Sequence, residues 1–299
     1  MNNVITAIDE VYKNLSKIVI DAEINKDRKI KIEIGENEWT KSPILLCLTT
    51  YNNIKYTKLC IESINLHKNK MVDVVVIDDF STDETVKWCE ENKISVIQKN
   101  EGKGLTDSWN VAYRLFKELD YEYLIIANND IIIPDGAIQE MHDVYKKWPF
   151  TVVVPLSNKI GAGHSTQQRI NQWYSVDAIE YSDTQNIQNL LLSMKNEFFK
   201  KNDIYLLDPL RIKFFNGFFF MFSRNVIKYE RDDKNLFPPE FIMDKAEDEF
   251  NWSKLIPEND YPALCKTSFV YHFKGTTINK INNYREIAND KNRIFKERV

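Results

Sequence analysis

Between Pro43 and Pro155, short and densely apolar runs alternate with helical stripes, and that rhythm leaves few architectures open. "PILLCL" from residue 43, "VDVVVID" from 72, "ISVI" from 94, "YLIIA" from 123 and "TVVVP" from 151 have the character of strands buried on both faces. Between them, Tyr56, Cys60, Ile61 and Ile64 fall on one helical face. Trp109, Ala112, Tyr113, Phe116 and Leu119 form a second such face, and Ile138, Met141, Tyr145 and Trp148 a third. The alternation predicts an α/β fold with a Rossmann-like, mostly parallel sheet flanked by helices on both sides. Right-handed crossovers then collect the strand C-termini along one edge, where such sheets hold ligands. "STDE" (81–84) reads as a capping box, with Ser81 accepting from first-turn amides and Glu84 reaching back.

The flanks are plainer. Val4, Ile8, Val11, Leu15 and Ile18 line one face of an amphipathic helix over residues 1–20. Packing on its own domain is the favoured reading, with self-association through this helix left open. "KIKIEIGENEW" alternates as a half-exposed strand would. After Pro155, "SNKIGAGHSTQQRINQWY" reads as a mobile loop over the site, residues 184–200 as a helix, and "IKFFNGFFFMF" as a strand broken at Asn216-Gly217. Residues 228–245 are charged, and the last stretch is polar, as in a surface helix. The expected layout is one large domain with an N-terminal extension (1–42), two functional halves (43–155 and 156–275) and a C-terminal tail (276–299).

A length of 299 residues supports such a domain. A net charge of −4 disfavours general nucleic-acid binding without excluding a metal-bridged anion. No leader and no apolar run of about 18 residues is visible, which predicts a cytoplasmic protein without a transmembrane segment, peripheral membrane attachment remaining open. Cysteines 47, 60, 89 and 265 form no CxxC pair, which argues against zinc and against a disulfide framework. Cys47 reads as small core filling.

Polar clusters follow the predicted strands. "LTTYNN" (48–53), "IDDFSTD" (77–83), "NEGKG" (100–104) and "NND" (128–130) each come at a strand end. One such cluster is ordinary turn chemistry. Four on one sheet edge define a crevice.

With their order and spacing, these motifs resemble the family 2 glycosyltransferases of the GT-A fold, over roughly residues 43–275. The resemblance rests on "TTYNN", "DDFSTD", the run Asn100, Gly102, Gly104 and Asn110, and "NND" in place of an Asp-x-Asp signature. Later come "NGFFFMFSR", "ED" at 247–248 and "HFKGTT" at 272–277. It implies a nucleotide-sugar-binding first half and an acceptor-binding second half carrying the catalytic base. Thr50, Tyr51 and Asp79 then hold the base and ribose of the donor, and Asn100, Gly102, Asn128 and Asn129 complete the nucleotide site. Gly102 and Gly104 would let backbone approach the ligand. Asp130 keeps the carboxylate of the signature and is the expected ligand of Mn²⁺ or Mg²⁺, with His272 completing the shell. Asn216 and Gly217 fall where donor sugar or acceptor is contacted, together with Glu247, and Asp248 is the expected general base. Asp83 reads as a helix-capping residue, Lys103 as solvated and His142 as exposed.

The reaction this implies is inverting transfer of a sugar from a nucleoside-diphosphate sugar, UDP- or dTDP-linked, to a hydroxyl of a glycan, lipid-linked or other acceptor. Three other readings compete. A nucleotidyltransferase would need a glycine-rich, basic loop after the first strand, and "TTYNNIKYT" lacks both features. A non-catalytic nucleotide- or carbohydrate-binding relative is kept open by Asn128 in place of aspartate. Glycosylation of modified DNA bases is disfavoured by the acidic balance.

Overall fold

The computed structural model describes residues 42–68, 71–158, 160, 166–169, 184–202, 208–232, 234–237 and 252–273. The expected N-terminal helix and strand, the centre of the 157–174 loop, Glu247 and Asp248, and the C-terminal helix lie outside them.

The expected alternation is present. β1 (Ile44–Thr50), α1 (Ile54–Asn65), β2 (Val72–Asp78), α2 (Thr85–Glu91), β3 (Ser95–Gln98), α3 (Leu105–Glu118) and β4 (Tyr123–Asn128) follow one another. Next come the short β5 (Ile131–Ile132), α4 (Ala137–Lys147) and β6 (Val152–Leu156). α5 (Thr184–Asn202), β7 (Leu210–Arg211), β8 (Phe219–Ser223), β9 (Ala263–Phe269) and β10 (Tyr271–His272) complete the described chain.

Eight strands form one sheet in the order β3-β2-β1-β4-β8-β6-β9-β7. The β3-β2-β1-β4 half is parallel throughout. β8 runs antiparallel between β4 and β6, and β7 is an antiparallel edge. Every residue of β1 is buried, because its alternate side chains enter two cores. Leu45 and Cys47 pack with Trp109, Tyr113 and Phe116 of α3 on one face. Ile44, Leu46 and Leu48 pack with Cys60, Ile61 and Ile64 of α1 and with Ile138 and Met141 of α4 on the other. An unbroken apolar run is what a strand covered on both sides requires. Burial pushes the Cys47 thiol well above its ordinary range, as expected for core filling.

Three expectations are corrected. No capping box forms: α2 begins at Thr85, and neither Ser81 nor Glu84 caps it. Asp83 does the capping, its Oδ1 accepting from the Thr85 amide at 3.0 Å, while its Oδ2 takes the Ile54 amide that opens α1. The segment "IKFFNGFFFMF" is a strand only from Phe219, because residues 217–218 turn first. His142 is half-buried rather than exposed, edge-on to Tyr123 at 5.1 Å.

Candidate active site

The parallel register fixes the site. Thr50 is level with Asp78, Asp78 with Gln98, and Thr49 with Asn128, so four strand ends share one edge. The chain leaves β1 through Tyr51, Asn52 and Asn53, and the two asparagines take left-handed backbone, φ 56° and 63°. Asparagine tolerates this region better than other non-glycine residues. The Asn52 side-chain oxygen accepts from the Thr82 and Asp83 amides at 2.8 and 3.1 Å. Its own amide donates to Ser81 Oγ at 2.6 Å. The β1 and β2 loops are thereby stitched together.

Asn129 sits below them. Its side-chain nitrogen faces Thr50 Oγ1 at 3.0 Å, Thr57 Oγ1 at 3.1 Å and the Asn52 carbonyl at 3.3 Å. Thr50 and Asn129, both candidate nucleotide ligands, are thus joined to each other beneath the crevice. Asn128 pairs its amide with the Phe218 carbonyl at 2.9 Å. Its side-chain oxygen is buried without a hydrogen-bond partner, at a cost of about 1–3 kcal/mol. Tyr51 is half-buried, and Asn100 and Gly102 are exposed at the rim.

Asp79 organises the glycine loop. It accepts the backbone amides of Lys103 and Gly104, each at 2.9 Å, and pairs with Lys99 Nζ at 2.5 Å. Lys99 is 2 % exposed and also meets Asp107 at 2.7 Å. This buried lysine was not among the expected site residues; its place beside "NEGKG" was the available signal. Gly104 holds φ 87°, ψ 179°, backbone that essentially only glycine adopts. A Cβ on Gly102 would meet nothing closer than the Asp79 carbonyl at 3.4 Å. Lys103 is partly exposed, with Glu101 3.2 Å away. Asp78 is fully buried, and desolvation raises its carboxyl above the usual range although Ser81 donates to it. Asn110, quoted above as part of the motif, is an anchor: its side chain makes three hydrogen bonds to the backbone of Leu236 and Phe237.

On the far side of β4, Asp130 and His272 meet. β10 pairs with β5, placing His272 level with Ile131, and His272 Nε2 lies 3.2 Å from Asp130 Oδ1. Asn158 clamps the histidine backbone from both sides, accepting its amide at 2.8 Å and donating to its carbonyl at 3.2 Å. Phe218 stacks on the ring at 4.9 Å. Asn216 and Gly217 precede that phenylalanine, and the Asn216 amide donates to Gln168 Oε1 at 2.5 Å. The described ends of the 157–174 loop are therefore pinned: Gln168 is fully buried and also bonded to Pro155. Asn158 and Gln168 were missed because that sequence reads as loop.

Among the described residues no group of three or more His, Cys, Asp or Glu side chains is arranged for a metal. One carboxylate and one imidazole, both buried and facing each other beside the strand ends, still suit a hard divalent cation whose remaining positions go to phosphate oxygens and water. No helix among the described residues is long and apolar enough to cross a membrane.

Residues 46–229 match glycosyl transferase family 2, well over half of the chain. The chain belongs to that family. It is 23% identical over 116 residues to glycosyltransferase GlyG of Streptococcus pneumoniae serotype 4 (strain TIGR4), a stretch covering 37% of this chain and 38% of that protein. In structure it resembles GalNAc-T7 solved with UDP, GalNAc and Mn²⁺, at TM-score 0.53 and 12% identity, over 77% of this chain and 42% of that one. It also resembles S. aureus TarS 1-349 with UDP-GlcNAc, at TM-score 0.50 and 15% identity, over 83% and 64%. The chain spans less than two thirds of each of these relatives. The shared architecture is the GT-A fold, and the family 2 segment covers the whole strand-end crevice, from β1 to the helical turn after β8.

Proposed function

We propose that this family 2 member is a metal-dependent, inverting glycosyltransferase that moves a sugar from a nucleoside-diphosphate sugar to an acceptor hydroxyl in glycan or polysaccharide synthesis. The observation that carries the reading is the Asp130–His272 pair, assembled from distant parts of the chain beside the crevice. A Mn²⁺ or Mg²⁺ ion held by the two side chains would supply positive charge to the departing diphosphate. Asn158 and Phe218 fix the imidazole so that Nε2 faces Asp130, and a pre-oriented pair loses little freedom when it takes up its ligand. Asp79 holds the glycine loop closed against β2, and the exposed Gly102 lets backbone approach the nucleotide. Tyr51 and Asn100 lie at the same rim, and Thr50, Asn128 and Asn129 form its floor. Asn216 and Gly217, at the β4 end, are offered to donor sugar or acceptor.

Asp248 is assigned the acceptor hydroxyl's proton, with Glu247 beside it. The assignment rests on the "ED" motif at 247–248, which resembles the family's acidic pair. The UDP and UDP-GlcNAc bound by the two structural relatives favour a uridine donor.

The test is turnover of a UDP-sugar panel with Mn²⁺, following UDP release. Wild type should turn over, while Asp130→Ala and Asp248→Asn should each lose at least about 100-fold, the scale of one general base or one electrostatic contact. Undiminished turnover in excess chelator would remove the metal from the account.

A further inference from the structure

Phe80 is out of place. It is 46 % exposed at the end of β2 and its backbone is left-handed, φ 67°. A bulky residue there is a true outlier, since glycine or asparagine would adopt the same backbone more easily. Strain retained at a ligand edge is a pointer to function. A second exposed apolar side chain sits nearby in the fold: Leu105, 39 % exposed, follows Gly104, whose amide is bonded to Asp79, the residue before Phe80. Two large apolar groups therefore reach solvent from two loops that Asp79 joins by accepting the Lys103 and Gly104 amides.

The strand order fixes what could cover them. Asp130 follows β4, and Phe80 follows β2, two strands away on the same edge. Two strand spacings are roughly 10 Å, a gap that a ribose bridges between a diphosphate and its base. We infer that Phe80 is the apolar face on which the nucleobase of the donor stacks, with Leu105 at its border. This rests on the glycosyltransferase reading and adds to it a residue that selects for a base over bare phosphate. A base offers a π-face to an aromatic ring whatever its identity, so the contact supplies affinity while polar neighbours choose among bases.

The experiment is calorimetric titration of the full chain with UDP, GDP and inorganic pyrophosphate, each with Mn²⁺, for wild type, Phe80→Gly, Phe80→Ala and Phe80→Trp. Aromatic–base stacking predicts a loss of about 5- to 150-fold for UDP or GDP in the glycine and alanine variants. Pyrophosphate binding should be unchanged in both, and Phe80→Trp should restore nucleotide affinity. Phe80→Gly should melt no lower than wild type, since it relieves the backbone, so lost affinity there is not lost folding. Equal nucleotide affinity across the series overturns the inference and leaves the glycosyltransferase reading intact, as does parallel loss of pyrophosphate. A wild type that binds neither nucleotide overturns both.

Discussion

The two glycines of "NEGKG" separate a demand of the fold from a demand of the ligand. Gly104 is held at φ 87°, ψ 179°, so Gly104→Ala should cost about 1–3 kcal/mol whatever is bound. Urea denaturation without ligand measures it. Gly102 has room for a methyl group beside Asp79. Gly102→Ala should therefore leave the unfolding free energy from urea denaturation within about 0.5 kcal/mol of wild type, as harmless surface changes do, while weakening nucleotide binding. Lys99 carries the opposite risk. It is buried against Asp79 and Asp107, and Lys99→Met would leave two carboxylates without their cation. A loss of about 3–5 kcal/mol is expected in the same assay. None of this was readable at residue level. "NEGKG" suggests a turn near a ligand, but which glycine the backbone needs depends on Asp79, placed there by a different strand.

At the scale of elements, the strands and helices of residues 44–156 were legible because burial on two faces leaves a periodic imprint. What the sequence concealed were the ends. "STDE" satisfies the capping-box pattern, yet Ser81 is taken by Asn52 from another loop, and Asp83 serves two helices instead. Long-range partners outcompete a local pattern at strand ends, where several loops meet. The "FFNGFFF" run shows the same limit: it reads as a strand broken at Asn216-Gly217, but the apolar residues before the break form no strand, and β8 starts only at Phe219, antiparallel to β4. His67 ties α1 to the strand-end region through the Ile133 carbonyl, 2.8 Å from Nε2. Burial lowers its pKa below the ordinary 6.5. The unfolded chain then takes up the proton first, so stability should fall as pH drops below about 6.5 and level off beneath the folded-state value. His67→Gln should flatten that slope in urea titrations run between pH 7 and pH 5. An unchanged slope would place the acid sensitivity elsewhere, His142 being the other imidazole among the described residues whose pKa burial lowers.

For the whole molecule, the sheet order decides what meets what. The parallel half places the loops after β1, β2, β3 and β4 along one edge. The antiparallel β8 brings Asn216 and Gly217 to the end of β4, and the small β5–β10 ladder delivers His272 to Asp130. The motifs announced these residues separately. Their convergence was legible only through the family resemblance, since no local pattern ties position 272 to position 130. The pair carries the central claim, that a divalent cation joins the protein to a nucleoside diphosphate. The most direct measurement is calorimetric titration of UDP and GDP into wild type, Asp130→Ala and His272→Ala, each with Mn²⁺ and with excess chelator. The account predicts that wild type binds one of these nucleotides with Mn²⁺, that chelator abolishes the binding, and that both variants behave with Mn²⁺ as wild type does without it. Nucleotide binding of equal strength in chelator, or undiminished in Asp130→Ala, would contradict it.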